Sequence, residues 1–157
     1  MFAVDTNILV YAHRRAAAEH APAFALLRSL CEGADAWAIP WPCVYEFYSV
    51  VTNPKIWKDA ASTPEKAWRQ LRAWIDAPSL HLLAEPEGFE AVLAPLLHAR
   101  VRGPRAHDAR IAALCLAHGV EALYSRDRDF SLFPELAIVD PFALPSRASE
   151  SRRARRR

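Results

Sequence analysis

Short apolar runs separated by helical segments, with no tight hairpin signal between any two of them, constrain this chain more than any other feature. Phe2-Ala3-Val4 is the first run and stops at Asp5, and residues 36–39, 80–83, 122–124 and 137–139 repeat the pattern. The intervening segments carry helix boundaries. Asp5, Thr6 or Asn7 can cap a helix over 8–13, and Gly33 ends one over 19–31. Pro42 suits the first turn of a helix that Asn53-Pro54 halts. Ser62-Thr63-Pro64-Glu65 opens another, whose apolar stripe reads as Trp68, Leu71, Trp74 and Ile75. Residues 89–101 and 106–118 complete the helical set. Strands alternating with helices need crossover connections, so the sheet is expected to be parallel and covered on both faces. The expected fold class is α/β.

A chain of 157 residues, 52% hydrophobic and 24% charged, can bury a core without disulfides and is not disordered over most of its length. Cys31, Cys43 and Cys115 are odd in number and form no CxxC pair, so they read as reduced thiols. No uncharged apolar run reaches about 18 residues and the N-terminus has no basic leader, which predicts a cytoplasmic protein without a membrane span. The net charge of +2 hides an asymmetry. Residues 147–157 hold six arginines and one acid, leaving 14 basic and 17 acidic residues elsewhere, a net −3. The expected organisation is one domain over 1–143 and a basic, disordered tail over 144–157. The domain itself is not a cationic sponge for nucleic acid.

Ligands of open parallel sheets bind beyond the carboxyl ends of the strands, where strand order reverses. Asp5 follows the first predicted strand directly, and Asp127 and Asp129 follow the strand at 122–124. Asp108 opens its helix, with Ile111, Leu114 and Cys115 continuing its face. Glu46 is the unexpected acid, sharing a helical face with Cys43 and Val50. Singly, each has an ordinary reading: a cap, a turn former, a residue favoured by the helix dipole, or one half of an ion pair. Four acids meeting from distant segments would repel one another without a cation between them. No lysine follows Lys66, so a hard divalent cation with oxygen ligands, Mg²⁺ or Mn²⁺, is the natural partner. Such an ion polarises phosphoryl oxygens and lowers the pKa of water, the chemistry of phosphodiester hydrolysis.

Asp5-Thr6-Asn7-Ile8-Leu9, Glu46 ahead of Val51-Thr52-Asn53-Pro54, Asp108 opening an Ile-Ala-Ala-Leu helix, and Ser125-Arg126-Asp127-Arg128-Asp129-Phe130 together resemble a PIN-domain nuclease. In detail the chain looks like the VapC-type toxins of bacterial toxin–antitoxin pairs, over residues 1 to 143. The resemblance implies a three-layer α/β/α sandwich with a central, mainly parallel, five-stranded sheet. It implies a Mg²⁺- or Mn²⁺-dependent endoribonuclease acting on tRNA or ribosomal RNA, a homodimer, and silencing by a VapB-type antitoxin. Asp5, Glu46, Asp108 and Asp127 match the acidic quartet of that family, with Asp129 the alternative to Asp127. Thr6 and Ser125 match the supporting polar positions. Gly103-Pro104-Arg105-Ala106-His107 departs from the family's usual approach to the third acid, which bears on substrate preference.

In this reading Asp5 and Asp108 hold the main ion, Glu46 ligates or orients the nucleophile, and Asp127 completes the shell or holds a second ion. Arg14, Arg15, Arg105, Arg126 and Arg128 flank the expected edge and are candidates for RNA phosphates. The five tryptophans fall within residues 37–74 and exceed what a small core hides, which suits a dimer contact or an antitoxin groove. A haloacid-dehalogenase phosphatase would want Asp where Asn7 stands, and a receiver domain would want a late lysine. The rival from another class is a catalytically inactive PIN-like module that binds RNA or a protein partner, separable by metal-dependent cleavage.

Overall fold

A computed structural model describes residues 1–143; the basic segment expected as a tail from 144 lies outside the described residues. Five strands form one sheet: β1 (Phe2–Val4), β2 (Trp37–Pro40), β3 (Leu80–Leu83), β4 (Ala122–Tyr124) and β5 (Ile138–Val139). Their order is β3-β2-β1-β4-β5, and every neighbouring pair is parallel. Ala3, Val4, Ala38, Ile39 and Leu123 have no exposed surface, which is why these strands read as continuous apolar runs rather than alternating ones.

The helices are α1 (Thr6–His13), α2 (His20–Glu32), α3 (Trp41–Val51), α4 (Pro54–Trp57), α5 (Pro64–Ile75), α6 (Phe89–Leu93) and α7 (Arg105–Ala117). Thr63 caps α5, its side chain accepting from the Lys66 amide, and Gly119 follows α7 with φ +63°, the left-handed geometry suited to a helix exit. Two elements differ from the sequence expectation. The helix anticipated over 89–101 stops at Leu93 and passes into a 3₁₀ turn over Ala94–Leu96, because Pro95 offers no amide and crowds the preceding turn. The segment read as a loop after Asn53 holds α4, where Asn53 Oδ1 accepts from the Lys55 amide and Pro54 takes the first helical position.

Of the apolar stripes expected as Trp68, Leu71, Trp74 and Ile75 on α5 and as Phe24, Leu27 and Leu30 on α2, the first member of each lies outside while Leu71, Trp74 and Leu27 are buried. Ala67, Leu71 and Trp74 are the buried row of α5, while Trp68 is 51% exposed; on α2, Ala23 and Leu27 are buried and Phe24 is 52% exposed. The smaller side chain faces inward because α1 and α3 pack closely there, and a neighbouring residue points about 100° away.

The chain runs from β1 outward through β2 to β3, then returns to place β4 on the other side of β1. With right-handed crossovers, that reversal assigns α1–α5 to one face and α6–α7 to the other, giving three layers. It also opens a crevice beyond the carboxyl ends of β1 and β4, the natural ligand position in such a sheet. The Asp5 amide donates to the Tyr124 carbonyl at 3.1 Å, joining the two strands at that edge.

Candidate active site

Asp5 leaves β1 at the strand reversal and caps α1, its Oδ1 accepting from the Thr6 amide at 2.7 Å. It is 4% exposed. Ser125, the first residue after β4, reaches across the crevice and donates to Asp5 Oδ2 at 2.6 Å. Asn7 Nδ2 donates to the same oxygen at 2.7 Å and to Ser125 Oγ at 3.0 Å. The Asp127 amide also donates to Ser125 Oγ, at 3.0 Å, so this hydroxyl gives one hydrogen bond and accepts two. Cys43 Sγ lies 3.8 Å from Asp5 Oδ1 and completes the surroundings of the carboxylate. Burial still dominates over these donors, and with Glu46 and Asp127 opposing its charge, Asp5 is pushed up to about 6.

Three further acids reach the crevice from separate segments. Thr6 Oγ1 donates to Glu46 Oε2 at 2.6 Å, tying the middle of α3 to the start of α1. Asp108 stands in the first turn of α7, half-buried, with no hydrogen-bonded or ion-paired partner among the described residues. Burial and then the charges of Asp127, Asp5, Asp129 and Glu46 push Asp108 up to about 7. Asp127 sits at the rim, its Oδ1 accepting from the Asp129 amide at 2.9 Å and capping the 3₁₀ turn over Arg128–Leu132. Asp5, Thr6, Asn7, Glu46, Asp108 and Asp127 line one cavity of about 290 Å³, walled by Val10, Tyr11, Val50 and Phe130.

Among the described residues no lysine or arginine lines this cavity, so its acids face one another without a cation between them. Carboxylate oxygens and a hydroxyl are the donor set that suits a hard divalent ion rather than a soft one. Burial first and mutual repulsion second raise Asp5 and Asp108, and the charge of such an ion offsets both. As the side chains stand, no three acids, histidines or cysteines among the described residues are drawn close enough to make a ready metal-binding group. The donors fit a hard divalent ion in kind.

The other residues nominated from sequence are distributed differently. Asp129 points out of the cavity to Arg105, 3.4 Å away. Arg126 is held by Glu19 at 2.6 Å and Asp140 at 3.2 Å. Arg128 is exposed at the rim, and Arg14 and Arg15 line a second, larger groove on the far side of α1. Asn7 and Cys43 are the site residues that sequence reasoning passed over. The position of Asn7, two residues past Asp5 in the first turn of a capped helix, was the available signal.

The family model described as PIN domain matches residues 2–136. The chain is 31% identical over 140 residues to Ribonuclease VapC48 of Mycobacterium tuberculosis, spanning 88% of this chain and 96% of that protein. VapC20 of the same organism, described as a Sarcin-Ricin loop cleaving toxin, superposes with a TM-score of 0.62 at 16% identity, over 83% of this chain and 93% of that one. VapBC2 from Rickettsia felis, solved bound to a DNA fragment from its promoter, gives 0.63 at 18% identity, over 88% and 96%.

Proposed function

This chain belongs to the PIN-domain family, and on that premise we propose that it is a Mg²⁺- or Mn²⁺-dependent endoribonuclease toxin of the VapC kind. The observation that carries the reading is the convergence of Asp5, Glu46, Asp108 and Asp127 on one cavity that no lysine or arginine of the described residues lines. Asp5 and Asp108 would hold the ion, with Glu46 and Asp127 completing its oxygen shell. A bound divalent ion supplies polarisation of a phosphoryl oxygen and a lower pKa for water. The protein's own part is positioning. Ser125 and Asn7 fix the orientation of Asp5 through their bonds to Oδ2. Thr6 holds Glu46 by one oxygen, and the other, without a partner among the described residues, can orient an attacking water. Asp129 pairs with Arg105 outside the cavity, which favours Asp127 as the fourth acid.

Water as nucleophile leaves a 5′-phosphate and a 3′-hydroxyl. The resemblance to VapC20 supports a structured RNA such as tRNA or ribosomal RNA as substrate. The likeness to the toxin of a VapBC complex supports an antitoxin partner of the VapB kind. Tyr45 and Trp68, each more than half exposed, are apolar surface that a homodimer contact or an antitoxin segment would cover. The nuclease domain is assigned to 1–143 and its place of action to the cytoplasm; no helix among the described residues is long and apolar enough to cross a membrane.

The test is incubation of purified protein with bacterial RNA and Mg²⁺ or Mn²⁺. Discrete fragments that vanish with EDTA and in Asp108→Asn are expected. Intact RNA with a folded, metal-binding protein would overturn the reading in favour of a binding module.

A further inference from the structure

The larger cavity of the molecule, about 950 Å³, is not the acidic one. It lies between the end of α1, the start of α2 and the exposed face of α5, and its lining includes Arg14, Arg15, Lys66 and Arg69 but no aspartate or glutamate. Among the described residues none of these four cations is ion-paired. Glu65, one turn from Arg69 on α5, forms no ion pair with it. Arg14 is held in place by the Ala60 carbonyl at 2.7 Å and by the Trp57 ring, whose centroid is 4.0 Å from the guanidinium. The floor is apolar and aromatic, with Phe24 half exposed and the His20 ring 5.7 Å from it.

We infer that this groove binds the phosphate backbone of a single-stranded stretch of the RNA substrate, next to the acidic cavity; the inference rests on the ribonuclease reading above. Electrostatics favours this occupant. A polyanion brought to four carboxylates needs cations close by, and of the three arginines at that rim Arg105 is engaged with Asp129 and Arg126 with Glu19 and Asp140, which leaves Arg128 alone unpaired there among the described residues. An unpaired set is in the groove, on both of its walls. The two cavities are separate but share one helix, since α1 gives Val10 and Tyr11 to the acidic cavity and Ala12 and His13 to the groove. From Asn7 to Arg14 the rise is about 10 Å. Cations tracking the backbone beside exposed rings that accept a base are how single strands are held without sequence preference.

The experiment measures fluorescence anisotropy of a labelled RNA of about 12 nucleotides against the full chain carrying Asp108→Asn, in EDTA, across a salt series. Adding Lys66→Gln and Arg69→Gln is expected to flatten the slope of log affinity on log salt by about 1.4, about 0.7 for each phosphate that is no longer neutralised. Arg28→Gln with Arg72→Gln, which removes two arginines paired elsewhere with Glu32 and Asp76, is expected to leave the slope unchanged. Both pairs are exposed neutral changes on helices, and matching thermal melts confirm equal folding. An unchanged slope in the groove variant overturns the inference. So does an oligoglutamate that needs Lys66 and Arg69 while RNA does not, because it identifies an acidic protein segment as the occupant. If the unmutated chain cuts no RNA yet the groove variant flattens the slope, the nuclease reading falls and the groove's role in RNA binding stands.

Discussion

Replacing Asp108 by asparagine should stabilise the metal-free protein at alkaline pH while removing its catalysis. Asp108 is pushed up to about 7 from an ordinary 3.8, by burial first and by neighbouring acids second. The folded state therefore binds this proton more tightly than the unfolded one. Its cost to stability is absent below about pH 4 and accumulates as pH rises through 7. At full weight that displacement corresponds to about 4 kcal/mol. Asp108 is only half-buried, and solvent screening reduces this to about 1–2 kcal/mol. The favourable position of a carboxylate in the first turn of α7 takes back about 0.5 kcal/mol. The net expectation is about 1 kcal/mol gained at pH 8, or about 2–5 °C in melting temperature, with little difference at pH 4.5. Urea unfolding in EDTA at the two pH values, followed by circular dichroism, reads the difference directly. Loss of stability at pH 8, or a gain of the same size at both pH values, would refute the reasoning about repulsion among the acids.

Adding Mg²⁺ at about 100 times its dissociation constant should stabilise the unmutated chain by about 2.7 kcal/mol at pH 8 and much less at pH 5, where protons compete at Asp5 and Asp108; calorimetric melts check this. Asp5→Asn should lower the unfolding free energy measured in urea even at pH 5, by about 1–3 kcal/mol, because one amide oxygen cannot serve the donors Thr6, Ser125, Asn7 and Cys43. Thr63→Ala should cost about 1 kcal/mol through loss of the α5 cap and leave RNA cleavage at its original rate, measured on the same preparation.

The strands were legible because both faces of the sheet are covered, so each appears as an unbroken apolar run with a sharp end. The strand order was not legible, yet it turns Asp5 and Ser125 from two distant residues into a bonded pair at the reversal point. Helix faces read less well. Trp68 and Phe24 fit the apolar spacing and still lie outside, since inward positions are set by how closely the helices pack rather than by hydrophobicity alone. The acids could be nominated singly, but which of Asp127 and Asp129 lines the cavity depends on a 3₁₀ turn that sends the second toward Arg105. The large basic groove was invisible for the same kind of reason: its cations come from α5 and from the end of α1, which the sequence separates by about fifty residues.

The chemical ends of the RNA products test the central claim most directly. If the acids position a divalent ion and a water, ligation-based mapping will find 5′-phosphates and 3′-hydroxyls, formed only with the metal and absent from Asp108→Asn. Fragments ending in 2′,3′-cyclic phosphates, or cleavage that persists in EDTA, would show attack by the ribose hydroxyl and contradict the assignment of Asp5, Glu46, Asp108 and Asp127.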